Sequence, residues 1–268
     1  MSVLLNASEM RAAEHRAIAS GRVTAAMLME RAGRGVFEAI CAEWPDVVAG
    51  QAKASVLCGP GNNGGDGFVV ARLLAELGWE VDAYFSGDPV KVPEDALSAF
   101  RHWQGATLPL AEYRPCNEDV VVDALFGTGL ARPVSGEFLA ALGAISERPR
   151  TTMLVAVDVL SGFSSDTGHL PAGSGDYPKH LSADMTVTFQ APRLGHFTGS
   201  LPARSGRLVV VPIGVELPDG DRVVRLLEAP APERITKGLL GHKYGHGHAL
   251  VLARGPTRGG AGRLAARG

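Results

Sequence analysis

The sequence is short of the features that would place it outside ordinary globular proteins. It has three cysteines in 268 residues, Cys41, Cys58 and Cys116, and no C-x-x-C pair. An odd number without paired spacing argues against a disulfide scaffold or a cysteine zinc site. No apolar run approaches the ~18–20 residues of a membrane span. The first residues, MSVLLNASEMRAAEHRAI, lack the apolar centre of a secretory leader. Excess charge is missing too: 26 Lys and Arg stand against 28 Asp and Glu, a net charge of −2. That gives no basic surface for nucleic acid. No nucleic-acid or membrane partner is expected, and cytoplasmic location is the default. What is plentiful is glycine, 34 residues in short clusters without a period, which points to tight turns rather than a low-complexity tail.

The chain is long enough for one α/β domain or two small ones. Residues 8–19 read as a helix with Ser8 as N-cap and no capping box, since no Glu stands three residues on. Residues 23–44 read as a second helix, with Met27, Ala32, Val36, Ala39 and Ile40 on one face and Pro45 as its end. From there strands alternate with helices. Strands are expected at 54–58, 79–85, 119–123, 152–157, 185–189 and 207–212, and helices at 64–77, 92–104 and 137–147. Such alternation implies a parallel sheet covered on both faces, with its ligand outside the carboxyl ends of the strands. Residues 216–236, rich in proline and charge, read as a linker.

The stretch CGPGNNGGDGF, residues 58–68, contains Gly59-x-Gly61-x-x-Gly64, the dinucleotide-binding pattern. Two features disfavour an ordinary NAD(P)-dependent dehydrogenase. That unit needs an acidic residue at the end of its second strand to hold the ribose, whereas Asp82 lies inside the strand that ends at Ala83, Tyr84 and Phe85. In addition, Asn62, Asn63 and Asp66 put carboxamides and a carboxylate where such loops are small and apolar. The N–H groups of Gly64, Gly65 and Asp66 at a helix N-terminus can bind phosphate, and the added oxygens fit a hard cation or a sugar. The alternative is a turn whose asparagines merely tolerate left-handed backbone. Two more loops follow strands: VVDALFGTGLARPVSG with Asp123 and Gly127-Thr128-Gly129, and VAVDVLSGFSSDTG with Asp158, Ser161 and Gly162. In a parallel sheet all three converge on one site.

These loops, in this order and with SADMTVTF-QAPR and the leader MRAAEHRAI…VTAAMLMERAG, resemble the YjeF N-terminal domain, the NAD(P)H-hydrate epimerase family. The resemblance covers about residues 5–215 and implies a three-layer αβα Rossmann-like sandwich with a mostly parallel sheet. It divides the chain into an epimerase domain at 1–215, a linker at 216–237 and, from 238 to 268, a segment similar to the start of the ADP-dependent dehydratase (YjeF C-terminal) domain. Most of that second domain is absent, so dehydratase activity is not implied. The implied activity is interconversion of the R and S forms of hydrated NADH and NADPH, with a separate NAD(P)H-hydrate dehydratase as functional partner.

By the same resemblance Asn62, Asn63, Gly64, Gly65 and Asp66 contact the hydrated dinucleotide. Gly127, Thr128, Gly129, Leu130, Ala131, Arg132 and Pro133 wrap its phosphates. Asp158 lies near the reacting ring as catalytic residue, stabilising an iminium-like cation and shuttling a proton. A potassium ion is implied on Asn63, Asp123 and Ser161, oxygen donors of the kind a hard ion takes. A non-catalytic nucleotide or ADP-ribose-binding module is the alternative. Oligomeric state stays open, a homodimer through the N-terminal helices being one arrangement.

The sequence departs from the family where Leu160 replaces a proline, which frees the backbone before Ser161. Arg193 replaces a lysine and keeps a charge able to hold phosphate. His242, His246 and His248 have no Cys or carboxylate partner at ligand spacing, which favours a solvated tail over a metal site.

Overall fold

The computed structural model describes residues 2–88, 91–219 and 223–227. The elements run β1 (Val3–Leu4), α1 (Ala7–Ala19), α2 (Ala25–Glu43), α3 (Pro45–Val48), β2 (Lys53–Cys58), α4 (Asn62–Glu76), β3 (Glu80–Phe85), α5 (Glu94–His102), β4 (Thr107–Pro109), β5 (Val120–Ala124), α6 (Gly136–Ser146), β6 (Met153–Val157), β7 (Met185–Phe189), β8 (Arg207–Val211) and β9 (Val224–Arg225). Two compact units are present, Met1–Leu226 and Leu227–Gly268. The dehydratase-like segment expected at 238–268, with His242, His246 and His248, lies outside the described residues.

Short valine-rich runs build the sheet. Seven strands lie in the order β4-β3-β2-β5-β6-β7-β8, and every neighbouring pair is parallel. Alternate residues serve opposite faces. Ala54, Val56, Val122, Val155 and Val157 join one core with Leu28, Val36 and Ile40 of α2 and Phe68, Val70 and Leu74 of α4. Leu57, Val121, Leu154 and Ala156 join the other with Leu142 and Ile145 of α6. Because both faces are buried, the strands read as nearly continuous apolar runs. The result is the expected αβα sandwich.

Strand order also fixes where a ligand goes. The chain steps outward from β2 to β3 to β4, then returns to the other side of β2 to begin β5. Connections leaving β2 and β5 therefore part in opposite directions, and a crevice opens at their carboxyl ends.

Several local expectations are corrected. The N-cap of α1 is Asn6, not Ser8: Asn6 Oδ1 accepts the Glu9 N–H at 2.8 Å, and Glu9 accepts the Asn6 N–H at 2.8 Å. Glu9 stands three residues after Asn6, so a capping box forms where counting from Ser8 finds none. The buried stripe of α2 is Leu28, Met29, Ala32, Val36 and Ile40, while Met27 is exposed. Pro45 ends α2 by opening α3, at a first-turn position where its missing N–H costs nothing. The strands β1, β4 and β9 are too short to show a period. β9 pairs antiparallel with β1, inside a stretch that reads as linker from composition.

Candidate active site

A cavity of about 750 Å³ opens at the predicted crevice. Its walls are Pro60–Asn63 and Asp66 after β2, Leu125–Arg132 after β5, Asp158 after β6, and Phe189 and Arg193 after β7. Met10, Arg11 and Glu14 of α1 close one side.

Asp158 is the most constrained residue in it. It sits one position past β6 with φ +65°, and the Val159 N–H bonds the Val157 carbonyl at 2.8 Å across it. A tight three-residue turn with positive φ at a non-glycine residue is strained, so other contacts must hold it. The Asp158 N–H bonds the Val187 carbonyl at 2.7 Å. Oδ1 accepts from Thr188 Oγ1 at 2.9 Å and lies 3.5 Å from the Arg193 guanidinium. Oδ2 accepts from the Thr128 N–H at 2.8 Å and from the Thr128 hydroxyl. Burial alone raises the pKa of this carboxyl, but Arg193, Thr128, His196 and Thr188 together hold it below the ordinary carboxylate value.

His196 locks the arrangement from behind. Its Nδ1 accepts the Arg193 N–H at 3.0 Å, so Nε2 carries the proton and donates to the Asp158 carbonyl at 2.9 Å. Burial pushes its pKa down, which keeps the ring neutral and the tautomer fixed.

Asp123, in β5, is fully buried. Ser161 Oγ donates to its Oδ1 at 2.6 Å, the Ser161 N–H to Oδ2 at 2.9 Å, and the Leu125 N–H to Oδ1 at 3.2 Å. Burial outweighs these three neutral donors and raises its pKa to about 6. Tyr177 donates to the Ser161 carbonyl at 2.7 Å and fixes that turn.

Between the Asn63 amide and the Asp158 carboxylate lies a gap kept by Gly127. A methyl there would sit 2.8 Å from Asn63 Oδ1 and 2.9 Å from Asp158 Oδ2. The Asn63 Nδ2 is buried with no hydrogen-bond partner among the described residues. The amide therefore has unused hydrogen-bonding capacity beside a space that only a residue without a side chain leaves open.

The model for "YjeF-related protein N-terminus" matches residues 25–195. A Roseobacter litoralis protein named NAD(P)H-hydrate epimerase is 40% identical over 234 residues, covering 80% of this chain and 100% of the relative. A Rhodobacter capsulatus protein of the same name is 42% identical over 223 residues, with coverage of 80% and 100%. The chain belongs to the NAD(P)H-hydrate epimerase family. A bifunctional NAD(P)H-hydrate repair enzyme of Coxiella burnetii is 34% identical over 277 residues, covering 99% of this epimerase-family chain but 54% of that longer protein. In fold the chain is similar to the crystal structure of yeast ynu0, at TM-score 0.61 and 19% identity, covering 83% of this chain and 99% of the yeast one.

Within this family member, the residues expected at the site separate into two groups. Asn62, Asn63, Asp66, Gly127, Thr128, Gly129, Leu130, Ala131, Arg132 and Asp158 line the cavity. Gly64, Gly65, Pro133, Asp123 and Ser161 do not. The expected glycine loop is already helix, since α4 starts at Asn62 with Gly61 as its cap. The N–H groups of Gly64 and Gly65 are spent on the Gly61 carbonyl, so the open N–H groups are those just before them. A side chain on Gly64 would strike the Gly59 carbonyl, and one on Gly65 would meet Met29 Sδ at 2.5 Å; these glycines permit close packing. Of the three expected cation ligands, Asp123 and Ser161 are bonded directly, and Asn63 lies instead across Gly127 from Asp158. Among the described residues no group of three or more His, Cys, Asp or Glu forms a metal cluster.

Arg193 is a second correction. It is 2% exposed and is the counter-ion of Asp158, so its charge faces that carboxylate where the sequence suggests a charge able to hold phosphate. Leu160, in place of the family proline, is fully buried, and its carbonyl accepts the Phe163 N–H at 3.2 Å, so that turn is held by packing and a backbone bond. Cys58 is a buried strand-end thiol whose pKa burial pushes well up, which makes it inert. Sequence reasoning missed Met10, Arg11 and Glu14, which nothing in an amphipathic helix distinguishes, and Thr188, whose only signal is its alternate position in TVTF.

Proposed function

We infer that this protein is an isomerase that interconverts the R and S epimers of hydrated NADH and NADPH. Its relatives of that name match over their whole length. The single structural observation that carries the site assignment is Asp158, an anion fixed by four side-chain and backbone partners at the wall of a cavity placed at the switch point. Exchange of configuration at C6 of the hydrated nicotinamide passes through a positively charged ring. A preorganised carboxylate stabilises charge that develops there, with no reorganisation needed at the moment of reaction. Exposed Arg132 and the backbone of Gly127–Ala131 would receive the phosphates, and the apolar wall of Met10, Leu125, Phe126 and Phe189 would shelter the ring.

The residues also fit a potassium ion. Asp123 is a buried carboxylate bonded only to neutral donors, and Asn63 has an unpartnered buried amide beside the Gly127 gap. Asn63, Asp123 and Ser161 would hold the ion, which would supply positive charge against the substrate's phosphates.

The deciding experiment mixes the protein with a separate S-specific dehydratase and an equimolar mixture of R and S hydrate. Conversion of the R form faster than its spontaneous rate, and dependent on potassium, is expected. No acceleration overturns the assignment.

A further inference from the structure

Epimerisation that proceeds by loss and return of water needs both a group that stabilises the cation and a group that moves a proton. Asp158 is built for the first only. Both its oxygens are occupied by donors and it is held ionised by Arg193. A carboxylate so satisfied is a poor proton carrier.

Asp66 has the complementary environment. It lies in the second turn of α4, is 9% exposed and lines the same cavity. Among the described residues no N–H, hydroxyl or cation bonds its carboxyl, although buried polar groups in folded proteins are nearly always paired. The groups that face it are Cys58 from β2, Glu14 from α1 and Asp158 from the end of β6. Asp95 of α5 shares an adjoining smaller cavity with it and with Glu14 and His15. The one buried cation nearby, Arg193, is committed to Asp158. Carboxyls sharing one desolvated site do not all ionise, and environments that separate two of them assign the acid and the anion. Burial, followed by the charges of Asp158 and Glu14, pushes the Asp66 carboxyl well above the usual range.

We propose that Asp66 is the general acid of the epimerisation, donating its proton to the C6 hydroxyl of the hydrate. The proposal rests on the epimerase assignment above. As the C6–O bond breaks, its electron pair leaves with the oxygen, the Asp66 proton joins it, and water forms. The positive charge spreads over C6 and the ring nitrogen beside Asp158. The ring then turns over about its glycosidic bond, water adds to its other face from the Asp66 side, and the surplus proton of that water returns to the Asp66 carboxylate. Nothing is oxidised or reduced, and the enzyme ends as it began. The empty hydrogen-bonding capacity of Asp66 is what the substrate hydroxyl fills.

The test measures kcat and KM against pH for the wild type, Asp66→Asn, Asp66→Glu and Glu14→Gln in the dehydratase-coupled assay. Because the acid must be protonated, wild-type kcat falls as pH rises through the raised Asp66 value. Asp66→Asn is expected to lower kcat by about 10²–10⁴-fold, with a much smaller change in KM and loss of that alkaline limb. Asp66→Glu is expected to restore part of the rate and bring the limb back at a shifted pH. An Asp66→Asn enzyme within threefold of wild-type kcat, or one altered in KM alone, overturns the proposal. So does loss of the limb in Glu14→Gln instead, which would give the proton to Glu14. Should Asp66→Asn not fold, the wild type decides: a rate independent of alkaline pH and unchanged in heavy water rules out proton donation. A wild type with no epimerase activity refutes the assignment beneath, a different result from an active wild type indifferent to residue 66.

Discussion

Asp123 and Asp158 stand at the ends of adjacent strands, both buried, yet they titrate in opposite directions. At Asp123 burial prevails over three neutral hydrogen bonds and the pKa rises to about 6. At Asp158 burial is opposed by the same kind of neutral donors and, in addition, by the Arg193 guanidinium, and the pKa falls. Hydrogen-bond count does not separate the two sites; a cation does. The Asp158 end carries its positive charge within the fold, whereas the Asp123 carboxylate meets only neutral donors among the described residues.

The contrast can be broken from either end. The largest effect is expected on removing the internal cation. Arg193→Met leaves Asp158 buried and uncompensated, a defect of roughly 3–5 kcal/mol, read as a lower melting temperature. The acid limb of the rate profile should also move to higher pH as Asp158 loses its partner. Adding Asp158→Asn to that variant should recover much of the stability, because the orphaned charge is gone; strictly additive losses would show that the pair is not coupled.

Next in size is Asp158→Asn alone. With the anion neutralised, kcat is expected to drop by about 10²–10³-fold, and the melting temperature to fall as well, because the buried Arg193 loses its counter-ion. A variant with wild-type kcat would remove Asp158 from the chemistry.

The smallest effect concerns Asp123. Its folded pKa lies above the unfolded value of about 3.9, so its contribution to stability is complete below that value and is lost as pH rises through about 6. Each unit of separation corresponds to about 1.4 kcal/mol. A cation beside the carboxylate reverses the loss. Potassium, compared with choline at equal ionic strength, should raise the melting temperature more at pH 8 than at pH 5, and Asp123→Asn should abolish the difference. Equal increments at both pH values would place potassium elsewhere.

Much of the architecture was legible because periodicity carries it. The buried strands β2, β5, β6 and β7 announce themselves as valine-rich runs, and the strand-end loops mark the carboxyl edge. The site was legible where a loop motif holds the residue, as with Asp123, Asp158 and Gly127. It was not legible where the third dimension assembles it. Arg193 reads as a charge able to hold phosphate after a strand, and only the packing of β7 beside β6 brings it against Asp158. Glu14 lies far in sequence from Asp66, Asp158 and Arg193, whose charges it meets, and has no local mark. Ser8 reads as the cap of α1, and a count from it misses Glu9, which only a count from Asn6 reaches. The glycines at 64 and 65 fit a phosphate-loop pattern but serve helix contact, since pattern matching cannot tell an open N–H from one already bonded to Gly61.

Only two residues separate Asp158 from Ser161. One end of this short span is clamped in its strained turn by the substrate-side carboxylate, and the other feeds both a hydroxyl and an N–H into Asp123. A span that short acts as a mechanical linkage: tightening at one end is felt at the other. A substrate drawing on Asp158 and a potassium ion drawing on Asp123 would thus bind as a coupled pair. Thermodynamic reciprocity would then require each to change the affinity of the other by the same factor.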